Sequence, residues 1–226
     1  MTKTVDIQDV LNLLDLRSFS YDVLRRVYLE EPSKLLMEEF LKGLIDDFPF
    51  TKENIHIQNG IIDIKKYVEK FQMDKDFDNL HWDYTRLFIG PYQVKAPIWE
   101  SVYLNKHGVL FQEETMRVRK MYLDYNLVSK QKGYEAEDHL GFELDFMYQL
   151  VEIAKEKIKD KEWGEAYQVL LHQKHFLQCH LLEWAPLFAK NVVTHANTEF
   201  YRGTAQLLVG YLKIDLLCVN DLLENL

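Results

Sequence analysis

Two groups of residues in this 226-residue chain have types and spacings that can do chemistry. The first is His139 with Glu143, four apart and so on one face of a helix, within a run of acids that includes Glu135, Glu137, Asp138 and Asp145. Acids at a helix start can hold a cationic ligand. They also make an ordinary solvated face, and Asp138 stands where a capping acid belongs. The second group is His172, His175 and His180 with Glu183. His172 and His175 are three apart and can share a face, but the His-Glu-x-x-His spacing of zinc hydrolases is absent. No phosphate-binding glycine loop and no Gly-x-Ser-x-Gly elbow occurs, and Ser101 has no spacing that marks a nucleophile. The expectation is therefore a protein that is not an enzyme and carries no cofactor and no metal. The alternative is a metal- or nucleotide-dependent hydrolase using His139, Glu143 and the His172–His180 cluster.

A third segment offers binding rather than catalysis. Tyr84-Thr85-Arg86-Leu87-Phe88-Ile89-Gly90-Pro91 reads as a helix stopped by Gly-Pro. Ala96-Pro97-Ile98-Trp99-Glu100-Ser101-Val102-Tyr103 follows after a short loop. Glycine ends a helix with positive φ and proline forbids its continuation, which accounts for Gly90 and Pro91 by themselves. Arg86 lies among apolar neighbours and calls for a carboxylate, with Asp83, Glu100 and Glu143 as candidates.

The elements that must position these residues are helical nearly throughout. Apolar positions recur at 3.6-residue spacing and strand alternation is nearly absent. The pattern predicts a helix over 5–16, a second capped by Ser18, a third after Pro32-Ser33, and a loop over 47–60 marked by Pro49, Asn54 and Asn59-Gly60. Helices at 61–73, 79–89, 113–127, 138–159, 163–188 and 194–226 follow, with a second break at 128–133. The sum is a single all-α domain over residues 1–226, bundle-like and of about ten helices.

Bulk composition narrows the partners. A formal net charge of −9 argues against nucleic acid, which needs a lysine and arginine surplus. Two cysteines in apolar helical segments, Cys179 and Cys218, fit a reducing compartment. The start Met1-Thr2-Lys3-Thr4-Val5-Asp6 has no basic-then-apolar pattern, and no uncharged apolar run of ~18 residues occurs. A cytoplasmic protein without membrane insertion is the expectation.

Three blocks resemble the TorD/DmsD/NarJ family of molybdoenzyme maturation chaperones, and within it the TorD-like branch. The first is Tyr84-x-Arg86-Leu87-Phe88-x-Gly90-Pro91 with Pro97-x-Trp99-Glu100-Ser101-Val102-Tyr103. The second is Glu137-Asp138-His139-Leu140-Gly141-x-Glu143-Leu144-x-Phe146-Met147. The third is Phe176-x-x-x-His180-Leu181-x-x-Trp184-x-Pro186-x-Phe188. The family's Pro-Pro-Trp is Pro97-Ile98-Trp99 here, and Ala136 replaces a proline two residues before Asp138. The resemblance implies a chaperone that binds the twin-arginine signal peptide and apo form of a molybdopterin oxidoreductase, aids cofactor insertion and delays export. It also implies a monomer or a domain-swapped dimer. By the same resemblance the peptide site falls on Arg86, Phe88, Pro97, Trp99, Glu100, Tyr103, Asp138, His139 and Glu143. Acids near Asp138 would take the cationic part of the peptide, and Trp99, Phe88 and Tyr103 the apolar part. Trp99 and the Asp138-His139 pair are expected to be neighbours on one groove.

Overall fold

The computed structural model describes residues 6–91, 93–105, 110, 113–127 and 135–226. The sequence-predicted break at 128–133 and the first five residues lie outside the described set. Within it the chain is all helix: α1 Ile7–Tyr28, α2 Lys34–Leu41, α3 Ile55–Val68, α4 Met73–Tyr84, α5 Glu100–Leu104, α6 Glu113–Asp124, α7 Leu140–Lys159, α8 Trp163–Phe176, α9 Leu182–His195 and α10 Glu199–Asn225. Two wider π turns interrupt the regular winding, Thr85–Ile89 after α4 and Leu177–Leu181 between α8 and α9.

Side-chain caps explain several of the helix starts. Asp6, Ser33, Asn54 and Thr198 each accept from a backbone N–H of the first turn of α1, α2, α3 and α10. Ser33 caps α2. Ser18 does not cap a helix. It lies in the middle of α1, and its hydroxyl turns to Glu152 on α7, so the two helices read at 5–16 and after Ser18 are one. Pro186 sits inside α9 rather than near a helix end.

Asn59-Gly60 is the other departure. It reads as a turn, yet both residues are in α3. Gly60 and Gly203 face each other across α3 and α10. A Cβ on Gly60 would meet the Gly203 carbonyl oxygen at 2.6 Å, and one on Gly203 would meet that of Gly60 at the same distance. Gly60 is there for close backbone approach, not for a turn.

α10 runs through the centre and buries Phe200, Tyr201, Leu207, Leu208, Tyr211 and Leu212. Around it α3, α9, α8 and α1 pack, with α7 against α1 and α8. An ion pair sits in this core. Arg17 of α1 donates to Asp215 of α10 from Nε (2.6 Å) and Nη2 (3.0 Å), and to Gln173 of α8 (2.7 Å). The hydroxyls of Tyr21 and Tyr211 also donate to Asp215.

Candidate functional site

The first two signature blocks meet as backbone. Trp99 and His139 form an isolated antiparallel bridge. Glu100 N–H donates to the Asp138 carbonyl (3.0 Å) and Leu140 N–H to the Ile98 carbonyl (2.9 Å). The expected proximity of Trp99 to the Asp138-His139 pair is therefore present. Ile98, at the place of the second family proline, turns its side chain into the core.

The acids of these blocks are not displayed. Asp138 is completely buried and works as a latch, its carboxylate accepting from Ser101 N–H and the Thr115 hydroxyl, both at 2.8 Å. Glu137 is buried in a two-point pair with Arg119 (2.7 and 2.9 Å), and Asp145 pairs with Arg25. Of the acidic run read from the sequence, Glu137, Asp138 and Glu143 are thus turned inward, while Asp145 and Glu135 stay partly exposed. The cap of α7 is His139, not Asp138: its Nδ1 accepts from Gly141 N–H at 3.1 Å. Burial pushes the His139 pKa down to about 4, so the ring is neutral and suited to accept. Gly141 answers to a contact, since a Cβ there would lie 2.4 Å from Leu29 Cα at the end of α1.

The third block joins from the π turn. His180 Nδ1 contacts both carboxylate oxygens of Glu100, at 2.9 and 3.0 Å, and both residues are buried. Trp184 Nε1–H donates to Glu143 at 3.0 Å, and both are fully buried. Burial, with Glu100 beside it, raises the Glu143 pKa well above the usual carboxylate range. Glu100, Asp138, Glu143, His180 and Trp184 thus form one interior polar cluster to which every signature block contributes.

The remaining sequence-predicted residues divide. Phe88 is core, not rim, packed between the rings of Tyr28, Tyr84, Phe188 and Tyr201. Arg86 finds Asp83 of its three candidate partners (2.7 Å) and also donates to the His195 carbonyl. Asp83 in turn accepts from Asn197 N–H, Thr198 N–H and the Thr198 hydroxyl, so the pair pins the α9–α10 corner to α4. Gly90 takes φ of +109° after the first π turn, the freedom its sequence position demanded.

What remains at the surface is Pro97, Trp99 and Tyr103, all half-buried. Tyr103 rests on Trp184 and accepts from Asn191, and burial raises its hydroxyl to about 12. Trp99 leans on His139, and its Nε1–H donates to Glu135 at 2.8 Å. Glu135 is not alone. The Tyr84 hydroxyl is shifted upward first by burial and then by the negative charge of Glu31, Glu135 and Glu30; Glu31 itself contacts His81 Nδ1 at 3.3 Å. Glu30 and Glu31 are exposed on the α1–α2 connection. Sequence reasoning missed them, for they stand about a hundred residues before Glu135 with no shared spacing.

A concavity lies beside Arg86. This cleft of about 490 Å³ is lined by Tyr67, Phe71, Trp82, Asp83, Arg86 and Thr198, among others, and Trp82 is 65 % exposed.

The hydrolase alternative loses its constellation. His180 is committed to Glu100, His172 contacts the Tyr125 hydroxyl (2.6 Å) and His175 the Cys179 thiol (3.4 Å). Among the described residues no group of three or more His, Cys, Asp and Glu side chains is arranged to hold a metal ion. Nor is any described helix long and apolar enough to cross a membrane.

Residues 57–190 match the nitrate reductase delta subunit family. The chain is similar to the chaperone protein TorD of Aliivibrio fischeri, with 31% identity over 133 residues, 59% of this chain and 60% of that protein. With TorD of Vibrio parahaemolyticus it shares 26% identity over 83% of each chain. It is 30% identical to the Tat proofreading chaperone DmsD of Salmonella typhi over 58% of this chain and 57% of that protein. Among solved structures, a putative redox enzyme maturation protein from Archaeoglobus fulgidus has the same fold, at a TM-score of 0.54 and 18% identity, covering 88% of this chain and 93% of that one.

Proposed function

Because the chain belongs to the nitrate reductase delta subunit family, whose members include the TorD and DmsD chaperones, we propose that it is a maturation chaperone for a molybdopterin oxidoreductase. It acts in the cytoplasm by binding, without turnover. It holds the client's twin-arginine signal peptide and apoprotein until the cofactor is in place, and so delays export.

The observation that carries this reading is the rim around Trp99. An interior scaffold built from all three signature blocks holds Trp99 half-buried with its indole N–H on Glu135. Glu30 and Glu31, exposed on the α1–α2 connection, bear electrostatically on the same Tyr84 hydroxyl as Glu135. An aromatic face with a carboxylate at its edge suits guanidinium groups, which stack on indole and take charge-assisted hydrogen bonds. The cationic part of the peptide thus goes to Glu30, Glu31 and Glu135 in place of Asp138, Glu143 and Glu100. The apolar part goes to Trp99, Pro97 and Tyr103.

Calorimetric titration of a twin-arginine signal peptide tests this. Trp99→Ala should weaken binding by about 2 kcal/mol, as expected for an aromatic anchor, with the melting temperature nearly unchanged. Glu31→Gln should weaken it less, and mainly at low salt. The cleft at Trp82 is the second reading, favoured by that ring's exposure. Loss of binding in Trp82→Ala with Trp99→Ala at wild-type affinity would move the peptide there.

A further inference from the structure

We propose that Glu143 is a positioning residue that holds a proton in the folded protein, and that this proton keeps the Trp99 segment seated on the body of the fold. The link to binding rests on the reading of Trp99 as a peptide contact. The proton itself does not.

The argument begins with what faces Glu143. From α7, its own helix, it is fully buried; Oε2 accepts from Trp184 and Oε1 has no hydrogen-bond partner among the described residues. From α5 comes Glu100, already held at both oxygens by His180 of the π turn. From the segment before α7 comes Asp138, engaged by Ser101 and Thr115. From α6 comes Tyr122, whose hydroxyl donates to the Glu137 carbonyl. Three carboxyl groups therefore share one interior with one imidazole. Among the described residues no lysine or arginine is ion-paired to Glu100, Asp138 or Glu143; Arg117 bears on Glu100 only from the exposed side of α6.

Neighbouring interior carboxylates without a cation cannot all be charged. Asp138 has two donors and Glu100 has the imidazole. Glu143 has one neutral indole donor and a bare oxygen, so it is where the proton resides. Protonated, it needs no counter-charge and becomes a donor on its unpartnered side.

The location gives the proton its consequence. Glu100 follows Trp99 directly and opens α5, while Glu143 lies one turn beyond the His139 cap. The two backbone hydrogen bonds that dock the Trp99 strand, Glu100 to Asp138 and Leu140 to Ile98, run between the same two segments. Removing the proton sets a second negative charge against Glu100 across that seam and pushes the Trp99 segment away from α7. A positively charged ligand does not relieve this, because the cluster is closed to solvent.

The test starts with wild-type protein. Its infrared spectrum at neutral pH should contain a protonated-carboxyl band that disappears in Glu143→Gln, whose amide imitates the neutral acid. A fluorotryptophan at position 99, followed by fluorine NMR, should shift in one alkaline transition in the wild type and stay flat in Glu143→Gln. Affinity for a twin-arginine signal peptide should fall with that transition by up to about tenfold per pH unit, and the fall should be absent in the variant. A wild type without the band, or a Glu143→Gln protein that titrates like the wild type, overturns the proposal. If band and fluorine shift behave as expected while neither protein binds the peptide at any pH, the proton stands and the peptide reading of Trp99 falls.

Discussion

Two of the interior polar networks among the described residues solve the problem of buried charge in opposite ways. The Arg17–Asp215 network matches one cation to one anion with a two-point contact, then spends the remaining capacity on Gln173, Tyr21 and Tyr211; only Arg17 Nη1 lacks a partner among the described residues. The Glu100–Glu143–His180 network has a surplus of acids and, among the described residues, no lysine or arginine paired to it. A balanced network is a permanent tie, indifferent to pH across the physiological range. An unbalanced one persists only with a proton, so its state depends on the medium. The first joins α1, α8 and α10 at the centre; the second sits under the proposed peptide rim. Rigidity and sensitivity are thus placed in different parts of one core.

The contrast breaks most readily at Arg17. Replacing it by Met leaves Asp215 charged and unpaired in the interior, and should cost about 3 to 5 kcal/mol in chemical denaturation. Glu143→Gln should cost far less, and above the usual carboxylate range it should stabilise. The folded-state pKa of Glu143 is raised, so the wild type has the full benefit of this proton below the unfolded pKa and loses it as pH rises toward the folded value. Equal losses in the two variants would erase the distinction between the networks.

The next effect concerns His139, which opposes Glu143 in sign. Its folded pKa is lowered from 6.5 to about 4, so its contribution is complete above 6.5 and is lost as pH falls toward 4. The lost stability amounts to about 3 kcal/mol. His139→Asn keeps a side-chain acceptor for the α7 cap and should flatten that acid limb in melting curves taken at stepped pH. An unaltered acid limb would mean that the ring is not the group being titrated. Smallest of all is Arg119→Ala. It opens a two-point contact to Glu137, but Arg119 is about a third exposed, and the loss should be about 1 kcal/mol or less and should shrink with added salt.

Fold class was legible in the sequence because helical periodicity and capping residues are local signals. The Gly90-Pro91 stop behaves as read. Asn59-Gly60 misled because glycine has two uses, and which one applies depends on Gly203, 143 residues later. The site was legible as a neighbourhood, since the blocks carrying Trp99 and His139 do meet. Its polarity was not. Asp138, Glu143 and Glu100 look like a cation site in one dimension, and only the arrival of Ser101, Thr115, Trp184 and His180 turns them inward. The carboxylates left outside, Glu30 and Glu31, come from a connection with no motif at all.

The Arg17–Asp215 tie also bears on how the chain is made. On the ribosome Arg17 emerges 198 residues ahead of its carboxylate. α1 therefore waits through the synthesis of all the helices in between with a guanidinium that has no counter-ion and an apolar face that has no central helix to close on. Vectorial folding cannot complete this core from its beginning; α10 is the keystone, and the preceding helices stay open to one another until it arrives. A protein proposed to guard an unfinished enzyme is thus itself exposed while unfinished, and pulse proteolysis of stalled nascent chains should find α1 cleavable until Asp215 has cleared the exit tunnel.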